Sequence, residues 1–439
     1  MEASLADIIL LKGVSHTAMP LLAPREPAVS FDPMTGDAKL WIGTTVGNEM
    51  VSGVPGPAGI SAASIAGIVS TAPGFGLPLA KGDGVTDDQP ALQAQYDYCQ
   101  AHVLPLLLPP GTYLLKLPLR VSYQDLGNTN QSGFVLRGLA THGQADGSGV
   151  CLKAGAPNME ALILIGVQAT LHNEISNLTL DCGPASLGTG AGIKSRATHW
   201  SGLLLQNLWI AGVPQYGIDI ESMDGGANGE SLQGYNLFIY GTVAAIKNGS
   251  GAGQSTPWSL HGVSLSCGWN GCVLDAGSGS ANISIFGLST TAEMPPAGQT
   301  PSSTLVISRG ANQVLIAGGR IEKIAHMVNL PGGDAGLNGH IRIQNLTFDG
   351  TLAGAIVQCG YTNSQNSVVF EDVIFGSVAS VPLQFDNGIS GSLDRIIFNA
   401  CDFDNYSDVS AVTTSPRTTL RDCRNTPVNS PFFVPTVHA

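Results

Sequence analysis

From residue 175 onward, short apolar runs alternate with polar positions and are punctuated by Gly, Asn or Asp. The clearest are ISNLTLD from 175, LLQNLWIAG from 204, LQGYNLFIYG from 232 and LHGVSLSCG from 260. VLIAGGRIE from 314, IRIQNLTFDG from 341, VVFEDVIFG from 368 and LDRIIFNACDFD from 393 follow. Period-two alternation bounded by turn residues predicts β-strands. Aligning Leu178, Leu208, Leu237, Val263, Leu346 and Val373 gives steps of 30, 29 and 26 residues, then 83 across three repeats, then 27. Repeats of that size suit the rungs of a β-solenoid with variable loops. Strands of successive rungs stack about 4.8 Å apart, so equivalent residues form columns. Inward columns fill with Leu, Ile, Val and Phe, and outward columns are free to carry a binding surface.

The stretch before these repeats, KGDGVTDDQPALQAQYDYCQAHVLPLLLPPGTYLL at 81 to 115, predicts a cap. Thr86 to Gln89 has the form of a T-x-x-Q capping box, with Asp87 and Asp88 in the first turn and Pro90 at the fourth helical position. Leu92, Tyr96, Cys99 and Val103 then form one apolar stripe, predicting a helix over 87 to 101. Strands are expected at Leu104 to Leu108 and Thr112 to Leu115, joined by a Pro109-Pro110-Gly111 turn. A solenoid end is an open sheet edge, which such a helix would cover.

GDGVTDD at 82 to 88, an amphipathic helix and LPPGTY at 108 to 113, in this order, resemble the opening of the pectate-lyase-like superfamily. The resemblance implies an all-β, right-handed, single-stranded parallel β-helix over residues 77–415 with an N-terminal capping helix. Residues 416–439 are expected to close the other end, where the prolines of PVNSPFFVPTVHA stop strand pairing and Phe432 and Phe433 plug the last rung. Residues 1–50 form a separate unit in which EPAVSFDPMTG followed by KLWIG resembles the small attachment module of phage tail fibres and tailspikes; a generic exposed hairpin reads the same way. Residues 51–76 form a linker or neck that contains the G-x-y triplets GVPGPAGIS. A homotrimer is what the resemblance implies.

Composition narrows the functions. Charged residues make up only 12% of the chain, glycines number 56, and the formal net charge of -13 disfavours nucleic acid or an anionic membrane surface as partner. The N-terminus is acidic where a signal peptide is basic, and its apolar run is too short to span a membrane, so neither an export signal nor membrane insertion is expected. The eight cysteines have no metal-ligand spacing; their even number permits disulfides, but free buried thiols are the expectation. No nucleotide loop or G-x-S-x-G elbow is present, and neither a cofactor nor a metal is expected.

What remains is the equipment for handling polysaccharide: carboxylate pairs for glycosidic chemistry and aromatics for stacking on sugars. Placing Ile321 over Phe348 puts Glu322 above Asp349 on the next rung, and like charges that close raise one pKa, as an acid and base pair requires. GGRIEK at 318 to 323 resembles a segment of tailspike β-helices; alternatively Arg320 pairs with Glu322 or Asp349 as a structural ladder. Glu293, in STTAEMPPAG, either completes the catalytic group or lies on a solvated loop. Asp219, Glu221 and Asp224 in IDIESMDGGANGE are candidate substrate contacts, with a solvated loop as the alternative. Trp258, Trp269 and Trp200 are candidate stacking platforms, and Arg320 a candidate substrate contact; Lys194, Arg196 and His199 beside Trp200 would suit an acidic sugar. Trp209, between Leu208 and Ile210, fits wall or core equally.

With the resemblance, these residues imply a phage tailspike, located in the virion and acting at the host cell surface. It would join the tail, its baseplate or another tailspike through its N-terminus. Its substrate would be a bacterial surface polysaccharide, capsule or O-antigen, depolymerised by hydrolysis. A lyase using Arg320, His326, Lys194 and His199 is the second reading, and a non-enzymatic adhesin the third.

Overall fold

The computed structural model describes residues 9–12, 27–31, 38–44, 47–50, 68–122, 131–140, 149–166, 170–196, 199–220, 228–248, 254–277, 280–309, 312–331, 339–349, 355–360, 366–376, 395–403, 418–425 and 430–431. Two sheets build the body. Among the described residues one has nine strands, from Leu119–Val121 to Val357–Cys359, and the other has twenty, from Ile68–Val69 to Ser430–Pro431. Each central rung contributes one short strand to the smaller sheet, such as Ala191–Ser195, and then one long strand to the larger, such as His199–Ala211. Successive equivalents pair in parallel. The chain is a parallel β-solenoid.

The columns expected from sequence are present. Leu178 pairs with Leu208 and Leu208 with Leu237; further on, Val263 pairs with Leu288, Gly319 with Leu346, and Leu346 with Val373. Inward positions form one continuous apolar core. Towards the C-terminal rungs it becomes aromatic, with Phe370 stacked on Phe398 at 4.6 Å and Phe375 on Phe403 at 4.9 Å. The strand ladder runs past the expected end of the body, since Thr418–Arg421 stacks on Arg395–Asn399. Phe432 and Phe433, expected to plug it, lie outside the described residues.

A column of residues in the left-handed region marks a bend in the larger sheet. Asn177, Asn207, Asn236, Gly262, Gly287, Gly318, Asn345, Asp372, Ala400 and Asp422 have φ between 50° and 73°. Asn, Asp and Gly tolerate this conformation best, which accounts for the punctuation seen in the sequence. The first three asparagines also bond to one another: Asn236 donates to Asn207 and Asn207 to Asn177, both at 2.9 Å. The bend divides the outward surface of the large sheet into two faces.

At the N-terminal end the helix spans Gln89–His102. It starts later than expected because Thr86 does not cap it. Asp83 accepts bonds from the Val85 and Thr86 amides and the Thr86 hydroxyl, while Asp88 takes the N-cap position and Pro90 falls in the first turn. The Asp88 side chain accepts instead from the Lys81 and Gly82 amides, at 2.6 and 3.0 Å. Leu92, Tyr96 and Cys99 are buried, but Val103 ends the helix at φ 57° and is exposed. Capping of the solenoid is direct: the Gln93 amide bonds both the N–H and the C=O of Arg120 on the first strand of the smaller sheet. Gly82 lies under the Tyr113 ring, where a Cβ would come within 3.2 Å, which explains the pairing of the GDG and GTY segments.

Four strands, Ile9–Lys12, Pro27–Phe31, Ala38–Thr44 and Gly47–Met50, form the separate N-terminal sheet; the middle two are the expected hairpin. The triplet-containing stretch 53–61 lies outside the described residues. All eight cysteines are buried free thiols.

Candidate active site

The face beyond the bend carries two adjacent outward columns. One reads Thr179, Trp209, Phe238, Ser264, Ser289, Arg320 and Thr347 on successive rungs. The other reads Tyr240, Ser266, Thr291, Glu322 and Asp349. At about 4.8 Å per rung, Tyr240 and Asp349 stand about 19 Å apart along the axis, which is room for several sugar units. Small hydroxyl side chains floor the middle, acids lie towards one end, and Trp209 and Phe238 approach each other at 6.5 Å towards the other. Phe238 is exposed and Trp209 half-buried, so Trp209 belongs to the outer wall.

Glu322 stacks directly over Asp349, as the sequence alignment requires. Arg320 sits between them, its Nε 2.9 Å from Asp349 Oδ2 and 3.1 Å from Glu322 Oε1. The guanidinium charge offsets the repulsion between the two carboxylates. All three side chains are more than a third exposed, so solvent weakens these pairs and the cluster is open to a ligand. Glu293 begins the excursion one rung earlier, and its amide bonds to Cys267 O. Its carboxylate accepts a 2.5 Å bond from the Tyr240 hydroxyl. Burial, and then the bond to Glu293, push the Tyr240 phenol well above its ordinary pKa, keeping it a donor.

The remaining candidates lie elsewhere. Trp258 is a correction: it is 1% exposed, in an inward column between Leu232 and Ile283, and is a core residue rather than a platform. Trp269 is half-buried in the turn after the same strand, and its carbonyl accepts from Ser302 at the far end of the Glu293 loop. Trp200 pairs with Thr170 and Gly229 through its backbone, but its side chain, like that of His199, lies outside the described residues, as do Glu221 and Asp224.

Asp219 is on the smaller sheet and 2% exposed, held by Lys194 at 3.5 Å and Lys247 at 3.2 Å. Its column alternates in sign through Lys194, Asp219, Lys247 and Asp275, and Arg309 bonds Asp275. Burial pushes the Asp275 carboxyl up, and Arg309 and Lys247 draw it back. Lys194 and Arg196 both pair with Glu160. Lys194 and Arg196 are therefore engaged in structural ion pairs and are not an open cradle for an acidic sugar. His326 is also on the smaller sheet, buried, with Nδ1 2.9 Å from Ala355 O. Of the three residues considered for a lyase whose side chains are described, Arg320 is the one on the acidic face.

Sequence reasoning missed Tyr240 and Phe238 as members of this face and left Trp209 open between wall and core. Their parity held the signal, since each follows an inward Leu or Ile in its strand.

No protein-family model matches the chain, and no curated protein matches it. Solved structures do. The tailspike of Acinetobacter phage vb_AbaP_AS12 is 12% identical with a TM-score of 0.47, over 95% of this chain and 74% of that one. The tailspike of Acinetobacter baumannii bacteriophage Fri1, a capsular polysaccharide depolymerase, is 12% identical with a TM-score of 0.43, over 93% and 74%. The A-module of a mannuronan C-5 epimerase from Azotobacter vinelandii is 13% identical with a TM-score of 0.41, over 79% and 97%.

Proposed function

We propose that this chain is a phage tailspike that binds a bacterial surface polysaccharide and cleaves it by glycoside hydrolysis at Glu322 and Asp349, with Glu293 as a third member. The observation that carries the proposal is the stacking of Glu322 on Asp349 on an outward face whose neighbouring rungs offer hydroxyl groups and aromatic rings. Hydrolysis needs one carboxyl to protonate the glycosidic oxygen and another to attack or to activate water. Arg320 Nε lies 3.1 Å from one oxygen of Glu322 and 2.9 Å from one of Asp349, a closeness that suits direct attack, whose carboxyl pair stands about 5–5.5 Å apart. Substrate entering between the acids displaces Arg320 from one of them, leaving the guanidinium to steady the charge on the other. Glu293, oriented by Tyr240, stands ready to contact the sugar on the adjacent rung.

The N-terminal sheet serves as the tail-attachment module, and the triplet-containing neck brings three chains together. A second reading, a receptor-binding adhesin, is favoured by the simultaneous pairing of Arg320 with both acids, which is also what a static ladder looks like. The test is to incubate the protein with purified bacterial capsules and O-antigens, following reducing ends and the ultraviolet absorbance of unsaturated uronate together. New reducing ends without absorbance support hydrolysis. A rise in both establishes a lyase, and binding without cleavage establishes the adhesin.

A further inference from the structure

The face before the bend carries a different outward column, in which Tyr235, His261, Phe286, Ala317, Gln344 and Glu371 follow one another. The first three rings stack as a ladder, Tyr235 on His261 at 5.3 Å and His261 on Phe286 at 4.9 Å, with planes within 17°. His261 covers one face of Phe286. The next position in the column is Ala317, whose methyl group does not continue the ring stack. From the Phe286 rung to the Gln344 rung is two steps, about 9.6 Å. A flat group packed about 4 Å from the ring fits that interval with Ala317 as its floor.

A depression of about 350 Å³ meets this column at Gln344 and runs back along the strands from it, lined among others by Asn282, Gln313 and His340; Phe286 and Ala317 stand at its edge and not in its lining. None of these four side chains has a hydrogen-bond partner among the described residues. A further depression on the same face, of about 320 Å³, is partly engaged. There Glu174 is held by both guanidinium nitrogens of Arg137 and by Ser176, and Asn173 accepts from the Phe134 amide.

We propose that the gap over Ala317 and the depression it opens into form a second saccharide site, taking a short run of neutral pyranose units, one on the Phe286 ring and the next against the amides. The end of a ring stack beside several unengaged amide donors and acceptors is the chemistry that recognises a sugar: the ring packs on its C–H face, and the amides bond to its hydroxyl or acetamido groups. Neutrality follows from Arg342, the cation lining the depression, which is paired with Glu371 on the next rung. The site rests on the polysaccharide reading of the molecule but not on the carboxylates at 322 and 349. It anchors the chain on a face separate from the one that cuts it.

The test is saturation-transfer NMR on the full chain with methyl pyranosides of glucose, galactose, mannose, rhamnose, N-acetylglucosamine, N-acetylgalactosamine and glucuronate. The wild type is expected to show transfer to at least one neutral pyranoside. Transfer is lost in Ala317→Phe, which extends the ring ladder into the gap, and kept in Glu322→Gln. Should Ala317→Phe fail to fold, Gln313→Ala with Gln344→Ala is expected to abolish transfer while melting as the wild type does. Absence of transfer to every neutral pyranoside, transfer that survives these substitutions, or transfer to glucuronate alone overturns the proposal. A chain that shows transfer but cleaves no polysaccharide keeps this site and loses the proposed hydrolysis.

Discussion

Replacing Asn207 tests whether the bend column holds the rungs together. Its amide donates to Asn177 and its carbonyl oxygen accepts from Asn236, and its φ is 50°. Asn207→Ala removes both bonds, each worth about 0.5–1.5 kcal/mol. It also puts an unassisted Cβ in the left-handed region, at a cost of about 1–2 kcal/mol. Asn207→Gly loses the same bonds without the left-handed cost, but its more flexible unfolded chain adds about 0.4–1 kcal/mol. Glycine should therefore be the better replacement by about 0.5–1 kcal/mol, the reverse of the order in an ordinary strand interior. Ala400 occupies the same column at φ 52°, so Ala400→Gly should stabilise by a similar amount. Urea midpoints at unchanged m-value give the comparison. If Asn207→Ala equals or exceeds Asn207→Gly in stability, and Ala400→Gly destabilises, the bend column does not set the rung geometry.

Three further outcomes follow from packing and protonation. Trp258→Ala, at a core site 1% exposed, should cost about 3–5 kcal/mol in a thermal or urea melt, because it opens a cavity between Leu232 and Ile283. Burial holds the His326 imidazole below its ordinary value of 6.5, so the unfolded chain binds the proton more readily. The stability this residue contributes is complete above pH 6.5 and declines as pH falls towards the folded value; His326→Gln should flatten that slope in a pH series of urea melts. Burial pushes the Cys99, Cys151 and Cys267 thiols up to about 12, so mass spectrometry after brief iodoacetamide treatment should find them unmodified in the native chain and alkylated in urea.

The columns were legible because stacking turns a repeat length into a spatial neighbour. Ile321 over Phe348 followed from a 27-residue step, and with it Glu322 over Asp349. Pairing of Arg320 with both acids was visible only as an alternative, since sequence fixes which residues are neighbours but not which way a long guanidinium turns. Trp258 was misjudged although its parity with Leu260 marks it as inward; a register shift between Ser255 and Trp258 blurred the alternation before it. The T-x-x-Q box was overridden by Asp83, which holds Thr86 through a tighter local turn. Lys194 and Asp219 are 25 residues apart in sequence yet adjacent in one column, so parts of a basic run and an acidic cluster that read as two binding features form one ion-pair ladder.

The most direct measurement is turnover of a cleaved capsule or O-antigen by Glu322→Gln and by Asp349→Asn, alongside binding of the same polysaccharide. Each substitution should lower turnover by about two orders of magnitude or more, the scale of a lost acid–base group, with binding retained. The wild type should release products of retained anomeric configuration, as follows from carboxyls one rung apart. Turnover that survives both substitutions would contradict the assignment of hydrolysis to this pair.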